Sequence, residues 1–121
     1  MNIIINNTSE TPIYSQIYSQ ISSQIINGSL PEGTKLPGIR QIANDLKISV
    51  IPVKMAWEEL DKNGFIKTVT GSGTYVSNIE PDEIQSKLNE KAETLVQKTC
   101  KEAKELGISA SELIDLIKKI Y

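Results

Sequence analysis

Three stretches constrain this chain more than any other feature: Leu36-Pro37-Gly38-Ile39-Arg40-Gln41-Ile42-Ala43-Asn44-Asp45-Leu46, then Ser49 through Leu60, then Gly71-Ser72-Gly73-Thr74-Tyr75-Val76. They spell two short helices, a tight turn between them and a glycine-tipped hairpin. That order predicts a winged helix-turn-helix, mainly α with a small β-hairpin, a scaffold suited to laying one helix in the major groove of DNA. At 121 residues the chain holds one domain, or a small domain with an appendage, since a single core usually takes on the order of 100 residues.

Composition narrows the chemistry. There is no histidine and one cysteine, Cys100, which removes histidine-based acid–base catalysis, catalytic triads, zinc cages and an internal disulfide. Glu58, Glu59 and Asp61 cluster, but on an exposed helix face such carboxylates are ordinary solvation. No enzyme and no cofactor is expected. The formal net charge of -2 gives no general affinity for polyanions, so a nucleic-acid surface has to be local. Met1 to Asn7 lacks a basic lead and a cleavage pattern, and no apolar run approaches the roughly 20 residues of a membrane span. The expected setting is the cytoplasm, without a membrane partner.

The organisation follows from periodicity. Residues 1–10 form an extended segment in which Ile3-Ile4-Ile5 is β-prone, able to pair with a strand or to tuck under the first helix. Residues 11–78 form the winged helix-turn-helix. Thr11 is expected to cap its first helix, with Pro12 at the first helical position. Ile13, Ile17, Ile21 and Ile25 then recur every four residues, and Asn27-Gly28 closes the helix. Pro31, Gly33 and Pro37 make Ser29 to Pro37 a connector with at most a brief β bridge. Ile39, Ile42, Ala43 and Leu46 line the second helix, Lys47-Ile48 makes the turn, and Ser49 caps a third helix built on Val53, Ala56, Trp57 and Leu60. Phe65 to Val69 and Thr74 to Ser77 are strands around the tip Thr70-Gly71-Ser72-Gly73, anchored by Phe65, Val69 and Val76.

Residues 79–121 read as a helical dimerisation tail of two helices. The first runs from about Asp82 to Leu106, a length of about 37 Å. Gly107 interrupts it, and Ser109 or Ser111 caps the last helix. Ile84, Leu88 and Leu95, then Leu113, Ile117 and Ile120, lie on an apolar stripe with no third element to cover it. The expected cover is the same tail from a second copy, giving a homodimer.

Residue types at the positions that face DNA point to the contacts. Arg40 sits just inside the second helix, out of phase with buried Ile39 and Ile42. Its forked cation suits phosphate or guanine, the competing reading being an exposed arginine with no partner. Lys54 on the third helix and Lys67 in the first wing strand stand equally between contact and solvation. Thr70, Gly71, Ser72 and Gly73 offer backbone N–H groups that approach a phosphate or the minor groove, though many such tips are merely turns. Trp57 falls on the apolar face, where core burial outweighs base stacking. Cys100, in the long tail helix, reads as a small buried residue before it reads as a redox site.

With Pro12-Ile13-Tyr14-Ser15-Gln16-Ile17, Gly28-Ser29-Leu30-Pro31-Glu32-Gly33-Thr34-Lys35-Leu36-Pro37, Arg40 and Gly71 through Val76 in unbroken order over residues 11–78, the chain resembles the GntR family of bacterial transcription regulators. Its short helical tail resembles that of the YtrA-like subfamily, whose members are typically homodimers and often repress transporter operons. The resemblance assigns phosphate grip to Arg40, the recognition-helix cap to Ser49, a later basic contact to Lys54 and the wing glycine to Gly71. It departs at Val50-Ile51-Pro52, where the family commonly has arginine or a polar residue followed by asparagine or threonine. Val50 and Ile51 replace hydrogen-bonded readout with apolar contact of the kind thymine methyl groups accept, and Pro52 fixes the first turn.

Six cations in residues 1–78 (Lys35, Arg40, Lys47, Lys54, Lys62, Lys67) face six acids (Glu10, Glu32, Asp45, Glu58, Glu59, Asp61). Fewer cations release fewer counterions, so binding is expected to be modest, with a shallow salt dependence. The leading expectation is a dimeric repressor on a palindromic, double-stranded operator. The competing one is a protein-interaction module with Val50-Ile51 as an apolar docking patch. No residue set names a small-molecule effector, an operator sequence or a metal.

Overall fold

The computed structural model describes residues 1–121. Its elements in chain order are α1 (Ile13–Ile26), β1 (Lys35–Leu36), α2 (Ile39–Leu46), α3 (Val50–Lys62), β2 (Ile66–Val69), β3 (Gly73–Val76), α4 (Pro81–Glu105) and α5 (Ala110–Ile120). They form two units, Met1–Pro81 and Asp82–Tyr121.

In the first unit the four-residue isoleucine spacing does what an amphipathic helix requires. Ile17, Ile21 and Ile25 of α1 are buried against Val53, Ala56, Trp57 and Leu60 of α3, with Ile42 and Ala43 of α2 and Phe65, Ile66 and Val76 completing the core. Tyr18 meets Phe65 edge-on, ring centroids 6.1 Å apart. The hairpin expected from sequence is the larger part of a three-stranded antiparallel sheet, ordered β1-β3-β2. Lys35 and Leu36 pair with Tyr75 and Thr74, while Ile66 to Val69 pair with Val76 to Gly73. Alternation sends Leu36, Ile66 and Val76 inward and sets Lys35, Lys67 and Tyr75 on the outer face.

Three helix ends share one closure. At the end of α3 the Phe65 amide reaches the Leu60 carbonyl (2.9 Å) and Gly64 reaches Asp61 (3.0 Å). At the end of α4, Ile108 reaches Ala103 (2.9 Å) and Gly107 reaches Lys104 (3.1 Å). This paired pattern is the Schellman motif, and it needs a left-handed residue after the helix. Between α2 and α3 the same pattern, Ile48 to Ala43 (3.0 Å) and Lys47 to Asn44 (3.2 Å), is closed by Lys47 at φ 57 instead of glycine.

Two expectations at the amino terminus are corrected. Pro12 (φ -54, ψ 148) is extended and occupies the N-cap of α1 itself, its carbonyl accepting from Gln16 N–H at 3.1 Å. Thr11 lies outside the helix, and its carbonyl accepts from Gln16 Nε2 at 2.9 Å.

Ile3-Ile4-Ile5 pairs with no strand. The segment runs extended along α1 and is held by three glutamines four residues apart. Gln20 takes the Ile4 N–H (2.8 Å) and gives to its carbonyl (2.7 Å). Gln24 does the same for Asn2 (3.3 and 2.6 Å), and Gln16 for Asn6 (2.8 and 3.0 Å). The match is geometric: four helical residues advance about 6 Å and two extended residues about 6.6 Å. A primary amide also carries both the donor and the acceptor that a neighbouring strand would supply. Ile3 and Ile5 meanwhile pack on the core, and Ile4 faces water.

The second unit has almost no interior. Ser109 and Glu112 form a reciprocal capping box at the start of α5, fixing the cap at Ser109. Ala103 is the single buried residue of α4, and α5 has none. Ile84 and Leu113 are half-buried, whereas Leu88, Leu95 (65% exposed), Ile117 and Ile120 (81%) stand open. Neither helix is long and apolar enough to cross a membrane.

Two outcomes follow. Gln20→Ala removes both bonds to Ile4 and destabilises the first unit by about 1 to 2 kcal/mol, read from urea unfolding by Trp57 fluorescence, with faster exchange of the Ile4 amide. Lys47→Gly relieves a left-handed lysine and stabilises by about 1 kcal/mol. An unchanged or lowered melting temperature would contradict that reading of the turn.

Candidate nucleic-acid interface

The buried side of α3 decides what its other side offers. With Val53, Ala56, Trp57 and Leu60 in the core, the helix turns Val50, Ile51, Lys54, Met55 and Glu58 outward. Ile51 is 66% exposed. Trp57, at 6%, is a core residue. Pro52 stands third in the helix, where backbone amides have no helical partner, so its ring breaks no bond. Ser49 occupies the N-cap in an extended conformation, but its hydroxyl does not bond the first turn. It caps by position alone, and the amides of that turn remain open to an outside acceptor.

Charge is graded along α3. Its first two turns contain Lys54 and no carboxylate, and the acids begin at Glu58. Lys54 lies in a groove between α3 and the sheet, lined also by Ile39, Trp57, Glu58, Asp61, Ile66, Thr68 and Thr74. Two carboxylates in one groove reduce the attraction that Lys54 offers a polyanion.

Arg40 is in different company. It is the second residue of α2, exposed, and lines an open cleft with Lys35, Gly38, Ile39, Ser72, Gly73 and Thr74. No carboxylate lines that cleft. The structure thus brings Arg40 together with Ser72 and Gly73 of the wing, and leaves Lys54 in the neighbouring groove. Lys67 joins neither lining. It stands on the outer face of the sheet, in a cross-strand row with Tyr75 and Lys35.

The wing tip is shorter than its sequence implies. The Ser72 amide bonds the Val69 carbonyl at 2.9 Å, closing a turn with Gly71 (φ 79) at the third position, as a type II turn requires. Gly73 already belongs to β3, paired with Val69. Thr70 and Gly71 are exposed, and the Ser72 and Tyr75 hydroxyls share a hydrogen bond across the tip. Cys100, half-buried on α4, belongs to the other unit, and no acidic or cysteine cluster able to hold a metal forms anywhere in the chain.

Sequence reasoning missed Lys35, Met55 and Tyr75. Lys35 carried a weak signal, since an inward Leu36 in a two-residue strand forces its neighbour outward. Met55 falls one turn after Ile51 and so shares its face.

A helix-turn-helix followed by a β-hairpin wing that a short preceding strand extends to three strands, with cations gathered where α2 meets the wing, defines a DNA-binding transcription regulator of the winged-helix class. The chain belongs to the GntR family: the family described as bacterial regulatory proteins, gntR family, matches residues 13–76. It is 34% identical over 119 residues to the HTH-type transcriptional repressor YtrA of Bacillus subtilis, spanning 98% of this chain and 91% of that protein. To the HTH-type transcriptional repressor STM4068 of Salmonella typhimurium it is 44% identical over 75 residues, 62% of this chain and 31% of that longer protein. A GntR family transcriptional regulator from Listeria monocytogenes has a solved structure that matches 97% of this chain and all of its own, with a TM-score of 0.78 at 29% identity.

Proposed function

We propose that this protein is a dimeric, sequence-specific repressor that reads a palindromic operator with the first two turns of α3 and grips the flanking backbone with Arg40 and the wing. The observation that carries this is the grading of charge: the first two turns of α3 contain Lys54 and no carboxylate of their own, and they stand beside a carboxylate-free cleft that holds Arg40 and the wing tip. Val50 and Ile51 supply apolar contact for thymine methyl groups, and Arg40, Lys54 and Lys67 with the exposed residues Ser49, Thr70, Gly71 and Ser72 supply the polar contacts. Likeness to YtrA over nearly the whole chain supports repression, and the YtrA-like pattern supports a transporter operon as target.

Dimerisation rests on the second unit. Two helices that bury one alanine between them cannot hold an apolar stripe in water. A second copy would cover Leu88, Leu95, Ile117 and Ile120. A twofold dimer then favours a site whose half-sites lie one turn, about 34 Å, apart.

The near-neutral first unit and the exposed Val50-Ile51 pair favour a second reading, a protein-docking module. Selection of duplexes from a random pool, followed by anisotropy titration at several salt concentrations, separates the two. With three cations per subunit the dimer should show a log–log salt slope of about -5. Arg40→Ala combined with Lys54→Ala should weaken binding about tenfold or more. No selected duplex at low salt would leave the docking module standing. For the tail, Leu95→Asp with Ile117→Asp should convert a sedimenting dimer to monomer at micromolar concentration and weaken palindrome binding by about 100-fold or more, because the second half-site contact ceases to be intramolecular. A variant that remains dimeric would move the interface elsewhere.

A further inference from the structure

Gly71 makes the turn of the wing, which leaves Gly73 to be explained. Its φ is +144, and a methyl group built on it would stand 2.9 Å from Lys35 Cε and 3.6 Å from Lys35 Nζ. A carbon at 2.9 Å cannot be accommodated unless the lysine moves. Lys35 lies 38 positions earlier in the chain, on β1, two places along the sheet face through its pairing with Tyr75. Its stem is laid along the notch that the missing side chain leaves, so its ammonium is carried to the wing tip.

The geometry points to Lys35 as a wing cation: it contacts the DNA backbone beside Arg40, and Gly73, whose left-handed backbone already calls for glycine, leaves the notch in which the lysine stem lies. The inference deepens the DNA-binding reading above and rests on it. Lys35 and Arg40 line one cleft with Ser72 and Gly73, and no carboxylate shares it. Lys54, the other cation facing the sheet, shares its groove with Glu58 and Asp61. Lys35 also borders a hollow that Asp45 lines, but the end of its side chain is at Gly73. A lysine there is a point charge on a long stem, suited to phosphate and indifferent to base sequence. Gly73 therefore acts through Lys35 as a positioning residue.

The probe is the tightest duplex selected from a random pool by the parent protein. Lys35→Met keeps the apolar stem over Gly73 and removes the charge, so the fold should melt as the parent does. With Lys35 added to the three cations counted above, the parent slope should be about -7 and that of Lys35→Met about -5, one contact of about 0.9 lost from each subunit, and affinity near 50 mM salt should fall about tenfold, equally for cognate and scrambled duplexes. Lys35→Arg should restore the slope. Gly73→Ala strains the backbone in either background, so the seating role is read from the difference: it should weaken binding more in the parent than in Lys35→Met, where no charge is left to displace. A slope unchanged in Lys35→Met, with the Arg40 and Lys54 variants still reducing it, overturns this inference alone. Equal effects of Gly73→Ala in both backgrounds overturn the seating role. Failure of the parent protein to bind any duplex removes the DNA-binding reading and this inference with it.

Discussion

Contact between α1 and α3 is what the rest of the first unit depends on. Ile17 and Ile21 meet Val53, Ala56 and Leu60 with none of them open to water, and the alanine lets the two helices approach closely. Because α3 is held on that side, its rotation about its own axis is set, and the outward residues follow without further instruction. A recognition helix turned by about 100°, the angle of one residue, would bury Lys54 and Glu58 where it now buries Val53 and Trp57. The same buried surface also holds Phe65, the first residue after the α3 closure, so the start of the sheet is tied to the end of the helix. Reading surface and wing are in this way two consequences of one buried contact.

The amino-terminal segment solves a different problem. An extended chain lying on a helix ordinarily leaves its amides and carbonyls without partners, and a helix has no backbone groups to spare. Glutamines at 16, 20 and 24 stand in for a missing strand, each pairing both polar groups of one residue. The segment can then bring Ile3 and Ile5 onto the core with their polar neighbours satisfied. The arrangement also ties residues 1–6 to α1, the helix that aims α3.

What the sequence makes legible is set by how local each cause is. The helices of the first unit show in isoleucine and leucine spacing, and helix ends show in Asn63-Gly64 of the first unit and Gly107 of the second, because period and closure are properties of neighbouring residues. The glutamine ladder does not show, since its partner is backbone and carries no side-chain signature. Gln16, Gln20 and Gln24 look like any solvated face. The two residues of β1 show only as a brief β bridge somewhere in residues 29–37, since a strand so short exists because β3 is beside it. The candidate interface divides the same way. Arg40 and the wing tip are readable from position along the chain, whereas the relation of Lys35 to Gly73 depends on a fold that joins residues 38 apart. Lys54 and Lys67, which look equivalent in sequence, part company once helix phase puts one by an acidic groove and strand alternation puts the other on the outer sheet face.

A first unit with as many acids as cations still has a way to hold DNA, because what matters within a Debye length of about 10 Å is the local arrangement and not the total. Lys35, Arg40 and Lys67 lie on β1, at the start of α2 and on β2, elements joined to one sheet. Glu58, Glu59 and Asp61 are confined to the last two turns of α3. Acids at that end of the helix repel phosphate wherever α3 is laid down along its far end, and are removed from it when the first turns lead. Few cations keep non-specific attraction weak, and misplaced carboxylates penalise wrong approaches. On the proposed reading, discrimination between right and wrong sites would rest on geometry: apolar contact from Val50 and Ile51 would contribute only where a matching base edge lies beneath them, while the cations by the wing would hold the orientation in which that comparison is made.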